Sequence, residues 1–268
     1  MENHQLNLDF SPTLCYNVTW TWFRKDTIVI FDIHCHILPG VDDGARNESS
    51  TDRMLRIAAS EGIDIIVATP HFAYGREKEE VEEIKRKYAE VRTWWKKRGT
   101  EKEMYLGNEL FYSEGIIEAL QDGSALTMNG TKYVLVEFPI YAEFSYVQKA
   151  IQKLQYAGYI PVIAHVERYE YLRKKGCIEE LVRMGAYMQV NASTITGKHG
   201  IFAKHQVMQW IRQGLVHFIA TDAHDSRERR PEIDKCAAYL KKKLGVSRTH
   251  RLLCNNPQRM LKGEELDG

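Results

Sequence analysis

Apolar residues fall in short runs that alternate with segments of helical spacing along most of this chain. The runs at 28–33, 63–69, 103–107, 133–138, 159–164, 186–190 and 215–221 are rich in Ile, Val and Phe and too short for helices, so each predicts a buried strand. Helical patterns lie between them. The first begins near Asn47 or Ser49, carries Met54, Leu55 and Ala58 on one face, and stops before Gly62. The segment 76–98 places Val81, Ile84, Tyr88, Val91 and Trp95 at helical spacing with Glu and Lys opposite, which predicts a solvated charged face rather than a docking surface. Further helices are expected at 114–121, 143–157, 178–184, 201–213, 231–244 and 247–262, the last interrupted by Pro257.

About seven strands alternating with helices imply parallel βαβ units, and a closed or nearly closed barrel fits that count. The fold class is therefore α/β, with a (β/α)7 barrel as the expected architecture. No GxGxxG follows an early strand, which argues against a dinucleotide-binding sheet. Residues 1–26 lack both periodicities and make a poor signal peptide. They are expected to be an accessory or partly disordered extension, or the product of a start codon set too far upstream, with 27–268 as the single functional domain.

Composition removes several function classes. The chain has 268 residues with Lys+Arg 37 against Asp+Glu 36, a net charge of +1 that does not suit a nucleic-acid-coating protein. No apolar run approaches the roughly 18–20 residues needed to span a bilayer, so no membrane insertion is expected. The five cysteines are odd in number, irregularly spaced and form no CxxC, and a reducing cytoplasm is the simpler reading.

The chemistry sits where the strands end, as it does in βα barrels. His34 and His36 are two residues apart at the end of the first strand, on one face, with Cys35 between them turned to the opposite side as a packing residue. Asp42 and Asp43 follow in the next loop. Later runs end in His71, Glu109, Glu137, His165, Asn191, and Asp222 with His224. Each alone has a bland explanation, a structural histidine or a helix cap. That explanation must hold independently at six of the seven strand ends, which favours a metal site. A His and carboxylate set without clustered thiolates suits Mn²⁺, Zn²⁺ or Fe²⁺, and the ligands are too many for one ion. Clusters of this kind acidify bound water and clamp an in-line displacement.

The motifs HCHILPGVDDG, ATPHF, GNE, VEFP, AHVERY and TDAH, taken together and in order, resemble the PHP (polymerase and histidinol phosphatase) superfamily. More narrowly, residues 28 to 262 are similar to the bacterial manganese-dependent protein-tyrosine phosphatases of capsular and exopolysaccharide synthesis loci. The resemblance implies a distorted barrel holding three Mn²⁺ ions, with iron or zinc as alternatives. It places His34, His36 and Asp222 on the first ion, Glu109 bridging to a second with Glu137 and His165, and Asp43, His71 and His224 on a third. Asp42 stays open as the alternative to Asp43. Arg168 matches a phosphate-binding arginine. A second is expected in DSRERRP, where Arg229 is favoured over Arg230.

The implied reaction is hydrolysis of phosphotyrosine, with the C-terminal tail of an autophosphorylating bacterial tyrosine kinase as substrate and partner. His71, His224 and Asp43 are the candidate general acids. Three rivals stand beside it: a phosphatase of the histidinol-phosphate type, a metal-dependent nuclease, and a non-catalytic module that binds the kinase. A cysteine phosphatase is disfavoured. Six residues after Cys35 stands Val41 rather than Arg, and CIEELVR at Cys177 reads as a helix instead of a glycine-rich phosphate loop.

Overall fold

The structure, a computed structural model, describes residues 28–75 and 78–266. The expected extension at 1–26 lies outside the described residues. The strands are β1 (Ile30–Cys35), β2 (Ile63–Ala68), β3 (His71–Phe72), β4 (Glu103–Leu106), β5 (Glu109–Phe111), β6 (Tyr133–Glu137), β7 (Ile160–Ile163), β8 (Tyr187–Asn191) and β9 (Phe218–Ala220). The helices between them are α1 (Glu48–Ser60), α2 (Lys78–Lys96), α3 (Ile116–Asp122), α4 (Phe144–Tyr156), α5 (Cys177–Arg183), α6 (Ala192–Thr196) and α7 (Ile201–Gln213), and α8 (Asp234–Leu244) follows β9. All strand pairs are parallel, in a sheet ordered β1-β2-β4 and a second ordered β3-β5-β6-β7-β8-β9.

Among the described residues, nine strand segments make seven staves, because β3 and β5 continue β2 and β4 after a break. Pro70 interrupts one ladder because it has no N–H to donate. At the other break, a Cβ on Gly107 would lie 2.8 Å from Met128 Sδ, so only glycine permits that approach. Asn108 spans both breaks, donating to Pro70 O at 2.9 Å and accepting from Leu126 N at 2.8 Å. Behind the breaks, His71 and Glu109 restart as paired neighbours. The chain after β9 closes the ring against β1 through a parallel bridge between Cys35 and Ala223. It is held by Asp222 N to His34 O and His36 N to Ala223 O, both 2.8 Å. The result is a distorted α/β barrel.

Alternate residues of the staves divide the core in two. Phe31, Ile33, Ile65, Val67, Tyr133, Leu135, Val162, Ala164, Phe218 and Ala220 fill the interior. The C-terminal segment seals its base with Cys254, Met260 and Leu261. The opposite faces, including Ile66, Val134, Ile163 and Ile219, pack with Met54, Trp95, Ile151 and Leu240 of the surrounding helices. Helix α1 begins at Asn47, whose side chain accepts from Ser50 N. Helix α2 buries Val81, Ile84, Val91 and Trp95, and turns Arg86 outward to Glu83 and Glu90.

The structure corrects three expected boundaries. The first strand is shifted to Ile30–Cys35, with an irregular register between Asp32 and Cys35, and so carries His34 into the sheet. The last stave has strand pairing only over Phe218–Ala220. The C-terminal segment runs as α9 (Val246–His250), a π-turn at Arg251–Asn255 and α10 (Asn256–Lys262), with no interruption at Pro257. The wide π-turn lies in the turn just before a proline that cannot donate to it.

Candidate metal centre

The C-terminal ends of the staves converge on one buried cluster of imidazoles and carboxylates. His34, His36, Glu109, His165, Asp222 and His224 are all buried, while Asp43 stands at the mouth with a side chain 66% exposed. One compact set is His34, His36, Glu109 and Asp222; a second is His36, Asp43, His71 and His224; a third is His71, Glu109 and Glu137. In each, the candidate ligand atoms lie within 4.8 Å of one another.

All nine residues expected to ligate therefore lie in one region, with three differences from the expected partition, the first being that His36 belongs to two of the sets. His71 faces two ways, with Nε2 3.3 Å from Asp43 Oδ1 and Nδ1 3.1 Å from Glu109 Oε2 and 3.2 Å from Glu137 Oε1. His165 reaches Glu109 Oε1 at 2.8 Å and Glu137 Oε2 at 3.5 Å, but stands outside the three compact sets.

The atoms at the centre lack the partners that buried polar groups normally have. Glu109 Oε2 lies 3.1 Å from His34 Nε2, His36 Nε2 and His71 Nδ1, yet forms a hydrogen bond with none of them. Buried His224 Nε2 is also without one. A carboxylate oxygen ringed by imidazole nitrogens, with no aligned donor, fits a position between cations. The mixed N/O donor set suits divalent transition metals.

Supporting residues fix which ring nitrogen faces inward. His36 Nδ1 meets Asp42 Oδ2 at 2.8 Å, His34 Nδ1 meets Gln189 Oε1 at 3.2 Å, and His224 Nδ1 meets the Asp222 carbonyl at 3.0 Å. In all three, Nε2 is left for the cluster. Asp42 also accepts the amides of Gly44 at 2.9 Å and His71 at 3.0 Å, so it braces the loop, whereas Asp43 points to His71 and His224. The loop requires Gly44, where a Cβ would lie 2.3 Å from His36 O.

Two of the three non-glycine residues at positive φ among the described residues belong to this cluster, His165 at 34° and Asp222 at 54°. Such conformations are costly and tend to be kept where function requires them. Asp222 is held by its neighbours: buried Asp32 accepts Thr221 N at 2.8 Å and the Thr221 hydroxyl. Burial pushes the Asp32 carboxyl up to about 6 against those hydrogen bonds.

The electrostatics follow from this crowding. Burial alone would lower the pKa of His36, but the hydrogen-bonded Asp42 and the nearby negative charge of Glu109 raise it to about 10. His165 is raised to about 9 in the same way, against burial, by Glu109 and Glu137. Glu137, although desolvated, is held down to about 2 by His165 and His71, and Glu109 is driven well below the usual carboxylate range by its ring of histidines. His224 is the exception, since burial and the charge of His36 push it down to about 3.

Arg168 and Arg229 approach the cluster from its open side. Arg168 Nη2 donates to Asp222 Oδ2, and Arg229 Nη2 donates to Asp222 Oδ1 at 2.9 Å. Arg230 turns away to Glu232. The loop presents Arg229 because its carbonyl accepts the amides of His224 at 2.9 Å and Asp225 at 3.2 Å. A cavity of ≈ 420 Å³ lies beside the pair, lined by both arginines with Ile140, Asn191, Asp222 and Ile233. Cys35 faces away, fully buried in the packing between barrel and helices, with its thiol pushed well above the usual range by burial.

Sequence reasoning placed Asn191 at a strand end but gave it no role, and missed Gln189 entirely. A buried Gln and Asn at i and i+2 within the apolar run YMQVN was the available signal.

Residues 30–262 match the family model for capsular polysaccharide synthesis, CpsB/CapC. The chain is 32% identical over 238 residues to the tyrosine-protein phosphatase YwqE of Bacillus subtilis (strain 168), covering 88% of this chain and 93% of that one. It is 28% identical over 238 residues to the tyrosine-protein phosphatase CpsB of Streptococcus pneumoniae, covering 87% and 98% respectively. A solved structure from work on YwqE and CpsB, described as unique metal-dependent tyrosine phosphatases, superposes with a TM-score of 0.81 at 31% identity, covering 89% of this chain and 96% of that one. With its family-model match spanning nearly all of the described barrel, the chain belongs to the CpsB/CapC family of capsular polysaccharide synthesis proteins.

Proposed function

We propose that this protein is a metal-dependent protein-tyrosine phosphatase. The observation that carries the reading is the convergence of Arg168 and Arg229 on Asp222, at the wall of a cavity beside the His/carboxylate cluster. Relatives bearing that activity in their names support it.

Three Mn²⁺ ions are the proposed occupants. His34, His36, Glu109 and Asp222 would hold the first; Glu109 and Glu137, with His165 and His71 beside them, the second; Asp43, His71 and His224 the third. Cations there supply Lewis acidity, lowering the pKa of water and neutralising phosphate charge. The chain's own groups do the rest. The guanidinium forks of Arg168 and Arg229 take phosphate oxygens, orient the ester and offset charge developing on the phosphoryl group. A tyrosyl leaving group has a pKa of about 10 and needs less protonation than an alkoxide. Burial and the charge of His36 push His224 down to about 3, so its ring is neutral at neutral pH, which suits a ligand better than a general acid.

The substrate is the phosphorylated C-terminal tail of a bacterial tyrosine kinase that governs polysaccharide export, met in the cytoplasm by a single domain spanning 27–268. Family membership supports this finer reading. Among the described residues, no helix is long and apolar enough to cross a membrane.

The test compares purified, Mn²⁺-loaded protein on phosphotyrosine peptides, histidinol phosphate and DNA. Preference for the peptides, abolished by chelator and restored by Mn²⁺, is the expected result. Faster turnover of histidinol phosphate, cleavage of DNA, or no metal-dependent hydrolysis at all would overturn it.

A further inference from the structure

Beneath the cluster runs a chain of buried amides that the reaction proposed above does not use. Gln189 Oε1 accepts His165 N at 2.8 Å and lies 3.2 Å from His34 Nδ1. Gln189 Nε2 donates to Asn191 Oδ1 at 2.9 Å, and Asn191 Nδ2 donates to Asp222 Oδ2 at 2.9 Å. Gln189 and Asn191 are 0% and 2% exposed, so water does not compete for these groups.

Both ends of this chain are chemically fixed. A backbone N–H can only donate, so the Gln189 oxygen must face His165 N. The ionised Asp222 carboxylate, already receiving two arginines, can only accept, so the Asn191 amide nitrogen must face it. Neither amide can flip without placing like groups against each other. His34 Nδ1 meets an oxygen that cannot donate, and must therefore carry the proton itself. That leaves the lone pair on Nε2, which is 3.4 Å from Asp222 Oδ1. Asp222 Oδ2 takes Asn191 and Arg168, whereas Oδ1, which also takes Arg229, is the oxygen that faces the imidazoles, 3.4 Å from His34 Nε2 and 3.7 Å from His36 Nε2.

We propose that Gln189 is a positioning residue of the metal centre, whose side chain presents His34 by Nε2 directly and Asp222 by Oδ1 through Asn191. The inference rests on the metal-dependent reading only for its effect on binding. Its effect on the His34 tautomer stands without any metal.

The experiment uses two substitutions. Gln189→Met keeps length and removes both hydrogen-bonding functions. Gln189→Glu keeps an acceptor for His34 and His165 but opposes Asn191 with a second one. Nitrogen-15 NMR of the metal-free protein, with His34 in its neutral form, reads the tautomer. Titration with Mn²⁺ alone reads affinity, and circular dichroism reads folding.

The expected tautomer is Nδ1–H in the parent, a mixture in Gln189→Met, and Nδ1–H again in Gln189→Glu. Mn²⁺ affinity should fall about 10–100-fold in both variants. A purely space-filling role predicts no such separation of tautomer from affinity. If Gln189→Met fails to fold, the parent tautomer and Gln189→Glu decide. Nε2–H in the parent, or unchanged Mn²⁺ affinity in a folded variant of a parent that binds the ion, overturns the proposal. A parent that binds no Mn²⁺ but shows Nδ1–H removes the metal reading and leaves the relay standing.

Discussion

Asp42 and His36 meet at 2.8 Å through Oδ2 and Nδ1, and the same oxygen accepts the amide of His71 at 3.0 Å. One carboxylate therefore orients one candidate ligand through its ring and another through its backbone. Asp42→Asn should lower Mn²⁺ affinity about 10–100-fold without changing the number of ions bound at saturation. Asp43→Ala should instead remove an ion. Metal content per chain after gel filtration separates the two.

Arg229 and Arg230 are adjacent but differ in what they reach, Asp222 in one case and Glu232 in the other. Arg229→Ala should reduce kcat/KM on a phosphotyrosine peptide about 100-fold, the scale seen for a lost charge-stabilising donor. Arg230→Ala should stay within about twofold, because an exposed ion pair contributes little. Steady-state kinetics on both variants tests the assignment.

Metal-free protein should be most stable near pH 6.5. His36 and His165 have folded values raised to about 10 and 9, so their stabilisation is full below about 6.5 and is lost as pH rises through 9 to 10. His224 and His217 are pushed down to about 3 and 4, chiefly by burial, so theirs is present above about 6.5 and lost as pH falls toward 4. His217 must stay neutral because its Nδ1 accepts Met188 N at 3.1 Å. Thermal melts from pH 4 to 10 should be bell-shaped, and His36→Gln should flatten the alkaline limb.

Cys35→Ala should retain metal content and activity while losing about 1 kcal/mol of stability, the cost of a small cavity in the packed layer. Loss of activity with metal and fold intact would return the thiol to the chemistry.

The strand rhythm and the metal-type residues at strand ends were legible because both depend on local pattern. Period-2 alternation puts His34 and His36 on one face without reference to the rest of the chain. The breaks at Pro70 and Gly107 were not legible as breaks. They read as strand ends, and only tertiary contacts, Met128 against Gly107 and Asn108 on Pro70 O, show why the staves resume at His71 and Glu109. Gln189 was hidden for a related reason. An amide inside an apolar run carries no charge or motif, and its meaning lies in partners on β7 and after β9. Pro257 misled because a proline rule for isolated helices takes no account of a π-turn that absorbs the missing donor.

The ring closes where Asp32 grips Thr221, a residue 189 positions further along the chain. His34 and His36 come from one side of that seam, Asp222 and His224 from the other. During synthesis the first two imidazoles leave the ribosome long before their counterparts exist, so no nascent fragment can assemble the complete donor set. A stalled or truncated product ending before Asp222 therefore lacks both Asp222 and His224 and cannot complete the two larger donor sets.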